Sequence, residues 1–497
     1  MIALEHSLAS SSRKFLKFFG FSFLAMSIWN VGVIWWLWNA SGWATLGAWL
    51  ANAALQATPL LAYQYIRRSG GERFGALSFF GTWISFEYLH LNWPFSWPWL
   101  NLGNVFAEWP SWIQWYEHTG ALGGSLWVLV ANWLAFNVLF RRRLLVPWAL
   151  VILFPIGFTL IIWTQYEFKG EEVEALAVQP NLDCYTEKFH YNSKTGARQQ
   201  PTHIPYQQQV DRLIRLSEEA VTANTRWVLW PETALHKGVD EAQPLNYLDM
   251  KKTFEFAKKH PQLAVVTGID SHIRYTKDEP HTSTTRYHKG YGYYDKFGSA
   301  VMVDASGKAE FYHKSKLVIG VETIPFQKVL KPLIMNFGGT AGGLGKQAER
   351  EAFEKKGAGA LAPIICYESV YGEFVTEYML KGASFIGIVT NDGWWGNTSG
   401  HKQHLHYARL RAIETRRSVA RSANTGVSAF INQRGEITAA TEYDEEAALR
   451  GTVRVNTELT NYTQWGDYIG RLLGFLTAFM LISVAVKNKV AYRPKKK

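Results

Sequence analysis

The part of the sequence that decides the fold of the first third of the chain is residues 18–66, which read FFGFSFLAMSIWNVGVIWWLWNASGWATLGAWLANAALQATPLLAYQYI. These 49 residues contain no Asp, Glu, Lys or Arg. A helix needs about 20 apolar residues to cross a bilayer, so the stretch has room for two spans, with a turn at residues 39–42. Further apolar runs lie at about 74–91, 121–140, 144–166 and 468–486. The sequence therefore predicts six membrane-spanning helices.

The charged residues between these runs indicate the orientation of the chain. If the N-terminus is cytoplasmic, the inner segments hold 15 basic residues against two acidic ones, Glu5 and Glu72. Such an excess of Lys and Arg is typical of the cytoplasmic side of a membrane protein. The 15 are Arg13, Lys14, Lys17, Arg67, Arg68, Arg73, Arg141, Arg142, Arg143, Lys487, Lys489, Arg493, Lys495, Lys496 and Lys497. The formal net charge of +11 is thus a topology signal, which argues against a nucleic-acid partner and predicts that residues 167–467 lie outside the cytoplasm.

Composition excludes several classes of protein. A hydrophobic content of 47% is far too high for an intrinsically disordered chain. Two cysteines, Cys184 and Cys366, exclude a disulfide framework and a multi-cysteine zinc site. Seventeen of the 22 Trp fall within residues 1–170, as expected for residues at a membrane interface. They could form an anchoring belt or line a lipid-contacting vestibule.

Residues 167–467 alternate between apolar strand runs and helical runs, which predicts an α/β sandwich. The expected strands are 174–181, 226–232, 263–270, 293–304, 310–318, 360–368, 384–392, 419–432 and 449–455. The expected helices are 205–224, 246–259, 370–381 and 401–418. The predicted organisation is a helical membrane domain at 1–166, an α/β domain at 167–467, and a last span with a basic tail at 468–497.

Three residues at the ends of predicted strands have the chemistry of nucleophilic catalysis: Glu232, Lys314 and Cys366. A thiol needs a base to become a thiolate, and a partly desolvated carboxylate can serve. A tetrahedral intermediate needs a cation or donor facing its oxyanion, and a lysine supplies one. On these residues alone, a buried structural Cys366 remains the alternative.

The segments around these residues read Trp-Pro-Glu at 230–232, Tyr-His-Lys at 312–314 and Ile-Cys-Tyr-Glu at 365–368. They resemble the nitrilase, or carbon–nitrogen hydrolase, superfamily, and within it the membrane-anchored apolipoprotein N-acyltransferase branch. The resemblance extends to residues 178–181, 391–396, 403–404, 411–414 and 424–426, and to Glu87 and residues 98–99 in the membrane part. It implies a nitrilase-like αββα fold for the second domain.

By this resemblance Glu232 is the general base, Lys314 the oxyanion partner and Cys366 the nucleophile, with Glu322, Tyr367 and Glu368 in supporting roles. Lys316 shares a strand face with Lys314, and the motif selects Lys314. The chain departs from the family in two places. It has six predicted spans where the family usually has eight, and Ile-Gly-Val-Glu at 319–322 where the family has Pro-Phe-Gly-Glu.

The resemblance also implies an activity and its partners. A phospholipid would donate an acyl chain to Cys366, and the N-terminal amine of a diacylglyceryl apolipoprotein would accept it. The protein would lie in the bacterial inner membrane with its catalytic domain on the periplasmic side. No cofactor or metal is implied, and His401, His404 and His406 begin an ordinary predicted helix. The alternatives are a membrane-tethered amidohydrolase and a non-enzymatic scaffold.

Overall fold

The computed structural model describes residues 14–71, 74–189, 201–326 and 343–491, together with Leu4 and Ser7. The chain separates into two compact units, one formed by residues 1–166 and 465–497 and the other by residues 167–464. Several residues used above to predict topology lie outside the described residues: Glu5, Arg13, Glu72, Arg73, Arg493, Lys495, Lys496 and Lys497.

All six predicted spans of the first unit are helical. They are α1 (Lys14–Ile34), α2 (Ala44–Gly70), α3 (Gly75–Asn92), α4 (Tyr116–Val138), α5 (Leu145–Gln165) and a C-terminal helix, Tyr468–Ala491. Among the described residues, four helices are long and apolar enough to cross a membrane by length and composition, and these are α1, α4, α5 and the C-terminal helix. The predicted helical membrane region is therefore confirmed. The count of six spans stays a prediction, because α2 and α3 are more polar.

The polar residues of α2 and α3 point into the unit rather than outward. Asn52, Gln56, Glu87 and His90 are all buried. The Glu87 carboxylate accepts hydrogen bonds from Trp83 Nε1 at 2.8 Å and from the Leu102 backbone at 2.9 Å. Both donors reach Oε1, and they offset part of the cost of burying the carboxylate. Glu87 thereby ties α3 to the segment that precedes α4.

The outward faces of the unit are apolar. Phe154 on α5 and Phe475 on the C-terminal helix are 71% and 78% exposed. Such extended apolar surfaces are suited to contact with lipid rather than water. The tryptophans divide between two environments, since Trp99 is buried whereas Trp109 and Trp112 are partly exposed. Only part of the set can therefore form an anchoring belt.

The second unit contains two β-sheets. The strands are β1 (Glu171–Gln179), β2 (Thr225–Asp240), β3 (Ala264–Tyr275), β4 (Arg286–His288), β5 (Gly292–Asp304), β6 (Ala309–His313), β7 (Phe353–Lys355), β8 (Gly359–Ile365), β9 (Phe385–Thr390), β10 (Val419–Ala423), β11 (Ala429–Ile431), β12 (Ile437–Ala440) and β13 (Ala447–Val455). In the seven-stranded sheet the order is β13-β1-β2-β3-β5-β4, with β6 paired to β5, and in the six-stranded sheet it is β12-β11-β10-β9-β8-β7. Strands β1, β2 and β3 are parallel, as are β8, β9 and β10.

The two sheets face each other and helices cover their outer faces. Trp227 of β2 donates through Nε1 to the Ala358 carbonyl at 2.9 Å, and Ser422 of β10 donates to the Val178 carbonyl at 2.7 Å, so both bonds cross between the sheets. The covering helices are α6 (Tyr206–Ala220) and α7 (Leu248–Lys259) on the first sheet, and α8 (Gly372–Leu380) and α9 (Ser399–Thr415) on the second. The predicted α/β sandwich is confirmed.

The apolar spacing of α6 shows why these helices form. Val210, Leu213 and Leu216 recur at helical spacing and are buried, so one face of α6 packs on the sheet. Leu213 joins Val228 and Val265 in a core cluster formed with β2 and β3. The core between α6 and the sheet therefore lies directly behind the strand that carries Glu232.

Several observed strands differ from the predicted ones. The strand predicted at 263–270 continues to Tyr275, the one predicted at 360–368 ends at Ile365, and β4, β7 and β12 were not predicted. Strand β2 continues past Glu232 to Asp240, with a shift in its pairing to β3 between Trp230 and Leu235. The strand expected at 310–318 ends at His313, because the Ser315 N–H donates to a glutamate side chain instead of a neighbouring strand. The run 419–432 divides into β10 and β11.

Candidate active site

Lys314 lies just beyond the end of β6 and its side chain is buried. Its ammonium donates to Glu232 Oε1 at 2.9 Å and to Glu322 Oε1 at 2.8 Å. Burial alone would lower the pKa of Lys314, but the two carboxylates outweigh it and raise the pKa well above its ordinary value. The site therefore holds a permanent buried cation.

Glu232 lies at the irregular bend in β2, where Thr233 adopts a left-handed φ of +49°. Two neighbours fix its backbone. On one side, a Cβ added to Gly268 of β3 would lie 2.5 Å from Glu232 Cα, so the close approach of the two strands requires glycine. On the other side, Lys188 Nζ donates to the Glu232 carbonyl at 3.2 Å. The carboxylate is thus presented to Lys314 from a firmly held backbone.

Cys366 follows β8 immediately and begins a 3₁₀ turn, Cys366–Val370. Its φ of +50° is unusual for a residue with a side chain and is a mark of local strain. Burial raises the pKa of the Cys366 thiol, and the nearby Glu232 carboxylate raises it further, while Lys314 opposes both. The resting group is therefore a thiol, which needs a base close by to become a nucleophile.

Glu368 connects the Lys314 loop to the Cys366 turn. Its Oε1 accepts from Tyr312 Oη at 2.9 Å and from the Ser315 N–H at 2.7 Å, while Oε2 accepts from the Ile365 N–H at 2.9 Å. Burial raises the pKa of Glu368, and these donors offset part of that increase. Glu368 therefore acts as a brace behind the site rather than as a group that faces Lys314.

Glu322 reaches Lys314 although its loop sequence departs from the family motif. A tight turn holds it, in which the Val318 N–H donates to Glu322 Oε2 at 2.7 Å and the Glu322 N–H donates to the Val318 carbonyl at 2.9 Å. Tyr367 is buried, and its ring meets that of Tyr371 edge-on at a centroid distance of 5.3 Å. Tyr367 therefore packs behind the turn that carries Cys366.

The structure separates the two candidate lysines. Lys314 contacts the two carboxylates, whereas Lys316 Nζ lies 4.6 Å from the centroid of the Tyr371 ring and 5.6 Å from that of Phe374. That arrangement is a cation–π contact on the outer side of the turn. Residue periodicity could not distinguish the two lysines, but their surroundings do.

Two charged residues of the site carry no motif and were missed from the sequence. Lys188 is fully buried, donates to Asn424 Oδ1 at 3.1 Å as well as to Glu232, and has its pKa lowered to about 8 by burial. Burial also raises the pKa of Asp270 to about 7, and the neighbouring Glu232 carboxylate adds to the shift. A lysine in a polar stretch gives no sign of burial, so no sequence pattern could have indicated Lys188.

The three histidines of the predicted histidine run, His401, His404 and His406, all lie in α9. His404 is hydrogen-bonded to Asp392 and to the turn that follows β8. Within the described ranges, no group of three or more His, Cys, Asp or Glu side chains could hold a metal ion.

Of the residues predicted from the sequence, the structure brings Glu232, Lys314 and Glu322 into direct contact, with Cys366 beside them.

Comparison with known proteins supports the family suggested by the motifs. The carbon–nitrogen hydrolase family model matches residues 194–462, and the model of the apolipoprotein N-acyltransferase N-terminal domain matches residues 1–134. An apolipoprotein N-acyltransferase of Chlorobaculum tepidum is 26% identical over 98% of this chain and 91% of its own length. Enzymes with the same name from Pseudomonas putida and Azotobacter vinelandii are 28% and 29% identical, over 82% and 86% of this chain and 74% and 76% of theirs. This chain belongs to the carbon–nitrogen hydrolase family, and it carries the N-terminal domain of the apolipoprotein N-acyltransferases.

Proposed function

We propose that the protein transfers an acyl chain from a phospholipid to the α-amino group of a diacylglyceryl-cysteine at the N-terminus of an apolipoprotein. The observation that carries this proposal is the buried contact of Lys314 with Glu232 beside Cys366, in a chain that also carries apolar helices long enough to cross a membrane. Relatives named for this activity match almost the whole chain. Membrane helices suit an enzyme whose two substrates, a phospholipid and a lipid-modified protein, are both held in a membrane.

In the first half-reaction, Glu232 accepts the Cys366 thiol proton as the sulfur attacks the ester carbonyl of the phospholipid. The negative charge that develops on the carbonyl oxygen faces the Lys314 ammonium, which is already in place and needs no reorganisation. The ester C–O bond then breaks, and Glu232 returns the proton to the departing alkoxide. The products are a thioester on Cys366 and a lysophospholipid.

In the second half-reaction, the free amine of the diacylglyceryl-cysteine attacks the thioester carbonyl. Glu232 accepts a proton from the nitrogen, the oxyanion again faces Lys314, and the C–S bond breaks. The proton returns to the Cys366 sulfur and an amide is left on the lipoprotein. Water has to be kept from the thioester between the two steps, since hydrolysis would release a free fatty acid instead.

The proposed location is the bacterial inner membrane, with residues 167–464 on the periplasmic side. Described basic residues on predicted cytoplasmic segments support it: Lys14, Lys17, Arg67, Arg68, Arg141, Arg142, Arg143, Lys487 and Lys489. Alkaline phosphatase is active only outside the cytoplasm. Fused after the exposed Asp278 it should therefore be active, and fused after Arg142 it should be inactive. The reverse pattern would refute the proposed orientation.

Intact-mass measurement after incubation with phospholipid tests the chemistry. The parent and Cys184→Ser should each gain one acyl chain that hydroxylamine removes, because Cys184 is the matched second cysteine and has no role in the mechanism. Cys366→Ser and Glu232→Gln should gain none. Adding a diacylglyceryl peptide with a free amine should move the acyl chain onto the peptide.

Two outcomes would contradict the proposal. An acyl adduct that persists on Cys366→Ala would remove Cys366 as the nucleophile. Release of free fatty acid, with no acylated peptide, would favour a tethered hydrolase of the same family.

A further inference from the structure

A second group of buried polar residues lies next to Cys366. It consists of Asp392, which follows β9, together with His404 of α9, Ser369 and Thr390. All four side chains are at most 1% exposed. The acyl-transfer steps use none of them.

One arm of this group holds the backbone of Cys366. His404 Nδ1 lies 3.0 Å from Asp392 Oδ1, and its Nε2 lies 3.2 Å from the Cys366 carbonyl oxygen. Ser369 Oγ donates to the same carbonyl at 2.8 Å and lies 2.9 Å from His404 Nε2. The carbonyl of a residue in a strained left-handed conformation is therefore held by two side chains.

The other arm holds the thiol. Thr390 Oγ1 donates to Asp392 Oδ1 at 2.9 Å. Cys366 and Thr390 directly follow the paired residues Ile365 and Val389 of β8 and β9. Burial raises the pKa of the Cys366 thiol, and a hydrogen bond from the Thr390 hydroxyl opposes that increase. A hydroxyl that donates to Asp392 can accept from the Cys366 thiol, and once the thiol has lost its proton the hydroxyl can turn its single hydrogen from Asp392 to the thiolate. Both arms therefore end on a single oxygen, Asp392 Oδ1.

Asp392 is itself firmly fixed. Its other oxygen, Oδ2, accepts from the Arg421 guanidinium at 2.5 Å, and its backbone N–H donates to the Thr425 carbonyl at 3.1 Å. Burial would raise the pKa of Asp392, but Arg421 and His404 lower it to below its ordinary range. The network thus centres on a buried carboxylate whose charged form Arg421 and His404 favour.

The order Ser369–His404–Asp392 matches that of a serine hydrolase triad, but its surroundings do not. Ser369 Oγ gives its proton to the Cys366 carbonyl and is 1% exposed, so no substrate carbonyl can approach it. His404 and Asp392 are closed from solvent in the same way. The geometry suits the support of a neighbouring residue rather than a second nucleophile.

We infer that Asp392 is a positioning residue for Cys366. Through His404 and Ser369 it fixes the backbone of Cys366. Through Thr390 it fixes the Cys366 sulfur for attack. This inference rests on the proposed function in taking Cys366 as the nucleophile. Its contribution differs from that of Lys314 and Glu232, because the members of the network are at most 1% exposed and act through Cys366. Loss of either arm should slow reactions of the Cys366 sulfur with any electrophile.

The test compares Thr390→Val with Thr390→Ser, both in the Cys184→Ser background so that Cys366 is the single thiol. Valine keeps the shape of threonine and removes the hydroxyl, whereas serine keeps the hydroxyl. The measurement is the alkylation rate of Cys366 by iodoacetamide as a function of pH. Thr390→Val should lower the rate near neutral pH about tenfold and shift the profile to higher pH, since a hydrogen bond to a charged group is lost. Thr390→Ser should stay within about threefold of the parent.

Thr253→Val is the matched control for a buried threonine. Thr253 lies in α7, where its hydroxyl donates to the Asp249 carbonyl at 2.8 Å, well away from Cys366 in the fold. Its alkylation profile should match that of the parent. Ser369→Ala tests the backbone arm, and we expect a three- to tenfold slower alkylation with little change in the pH profile.

An unchanged profile in Thr390→Val, or an equal loss in Thr390→Ser, would overturn the inference. The alkylation assay contains no phospholipid and no peptide, so its result is independent of the proposed activity. If the parent is alkylated at Cys366 yet never takes an acyl chain from phospholipid, the proposed function fails while the inferred role of the network can still stand.

Discussion

Two buried lysines flank Glu232, and they differ in what their ammonium groups contact. Lys314 is 1% exposed and contacts two carboxylates, whereas Lys188 is 0% exposed and contacts a backbone carbonyl and an amide oxygen. The pKa of Lys314 is raised well above its ordinary value, while burial lowers the pKa of Lys188 to about 8. Two lysines that are equally buried therefore have opposite pKa shifts, and the groups that each ammonium contacts determine which lysine stays charged.

This difference in contacts indicates different roles for the two lysines in catalysis. A lysine that is charged at every physiological pH suits the stabilisation of an oxyanion. A lysine bonded to neutral oxygens suits the fixing of a backbone, and Lys188 joins the Glu232 carbonyl in one sheet to Asn424 near the other. We expect Lys314 to act on the substrate and Lys188 to act on Glu232.

The strongest test of this division is Lys314→Met. Loss of one oxyanion donor usually lowers turnover by about 10²–10³-fold, and we expect a loss of that size in kcat for acylation of a diacylglyceryl peptide. Lys316→Met is the matched control, because Lys316 lies over the Tyr371 ring instead of the carboxylates. Equal losses in the two variants would mean that Lys314 has no special place in the reaction.

Gly268→Ala tests whether the activity requires the observed position of the Glu232 backbone between Lys314 and Lys188. The added Cβ would lie 2.5 Å from Glu232 Cα, so the bend in β2 would have to move. A displacement of about 1 Å at a catalytic group can lower turnover about 10²-fold. Gly298→Ala is the control, since its Cβ would meet only Leu344 at 3.8 Å. Parent-like turnover in Gly268→Ala would show that the close approach of β2 and β3 is not needed.

Lys188→Met should have a smaller effect than either. The substitution leaves the charges around Lys314 in place and removes one hydrogen bond to the Glu232 carbonyl, so we expect about a tenfold lower kcat with little change in KM. The exposed Lys237, further along β2, provides the control variant Lys237→Met. A loss as large as that of Lys314→Met would show that Lys188 also contacts the reacting atoms.

The same contrast shows how far the sequence can predict the site. Glu232, Lys314 and Cys366 stand in short motifs at strand ends, so their resemblance to a family could be recognised along the chain. Lys188 finds its partners 44 and 236 residues away, and nothing in its own neighbourhood in the sequence indicates them. The brace formed by Glu368 and the bend after Glu232 likewise depend on tertiary contacts.

In the membrane unit, too, the sequence predicts the helices but not the polar contacts between them. The absence of charge between residues 18 and 66 was enough to predict helices there, because apolar length is a property of sequence. The apolar pattern did not indicate that Asn52 would bond to Asn30 at 2.7 Å, or that Glu87 would receive the Leu102 N–H. Polar partners inside a helical unit are set by packing, which no single segment determines.

The smallest expected effect concerns stability and separates the two lysines by sign. Lys188 has a folded pKa of about 8 against an ordinary value of 10.5, so between these pH values the unfolded chain binds more protons than the folded one. Its contribution to the free energy of unfolding therefore rises with pH across that window, by at most about 3 kcal/mol. The pKa of Lys314 in the folded protein is raised above 10.5, so the contribution of Lys314 to the free energy of unfolding is present below that pH and is lost as the pH rises through the folded pKa.

Thermal unfolding in detergent at about pH 7.5 and about pH 10 measures this difference. Between the two pH values, the parent should gain stability relative to Lys188→Met and gain none relative to Lys314→Met. Equal pH dependence in the parent and Lys188→Met would mean that Lys188 is not held below its ordinary pKa, and the contrast between the two lysines would then disappear.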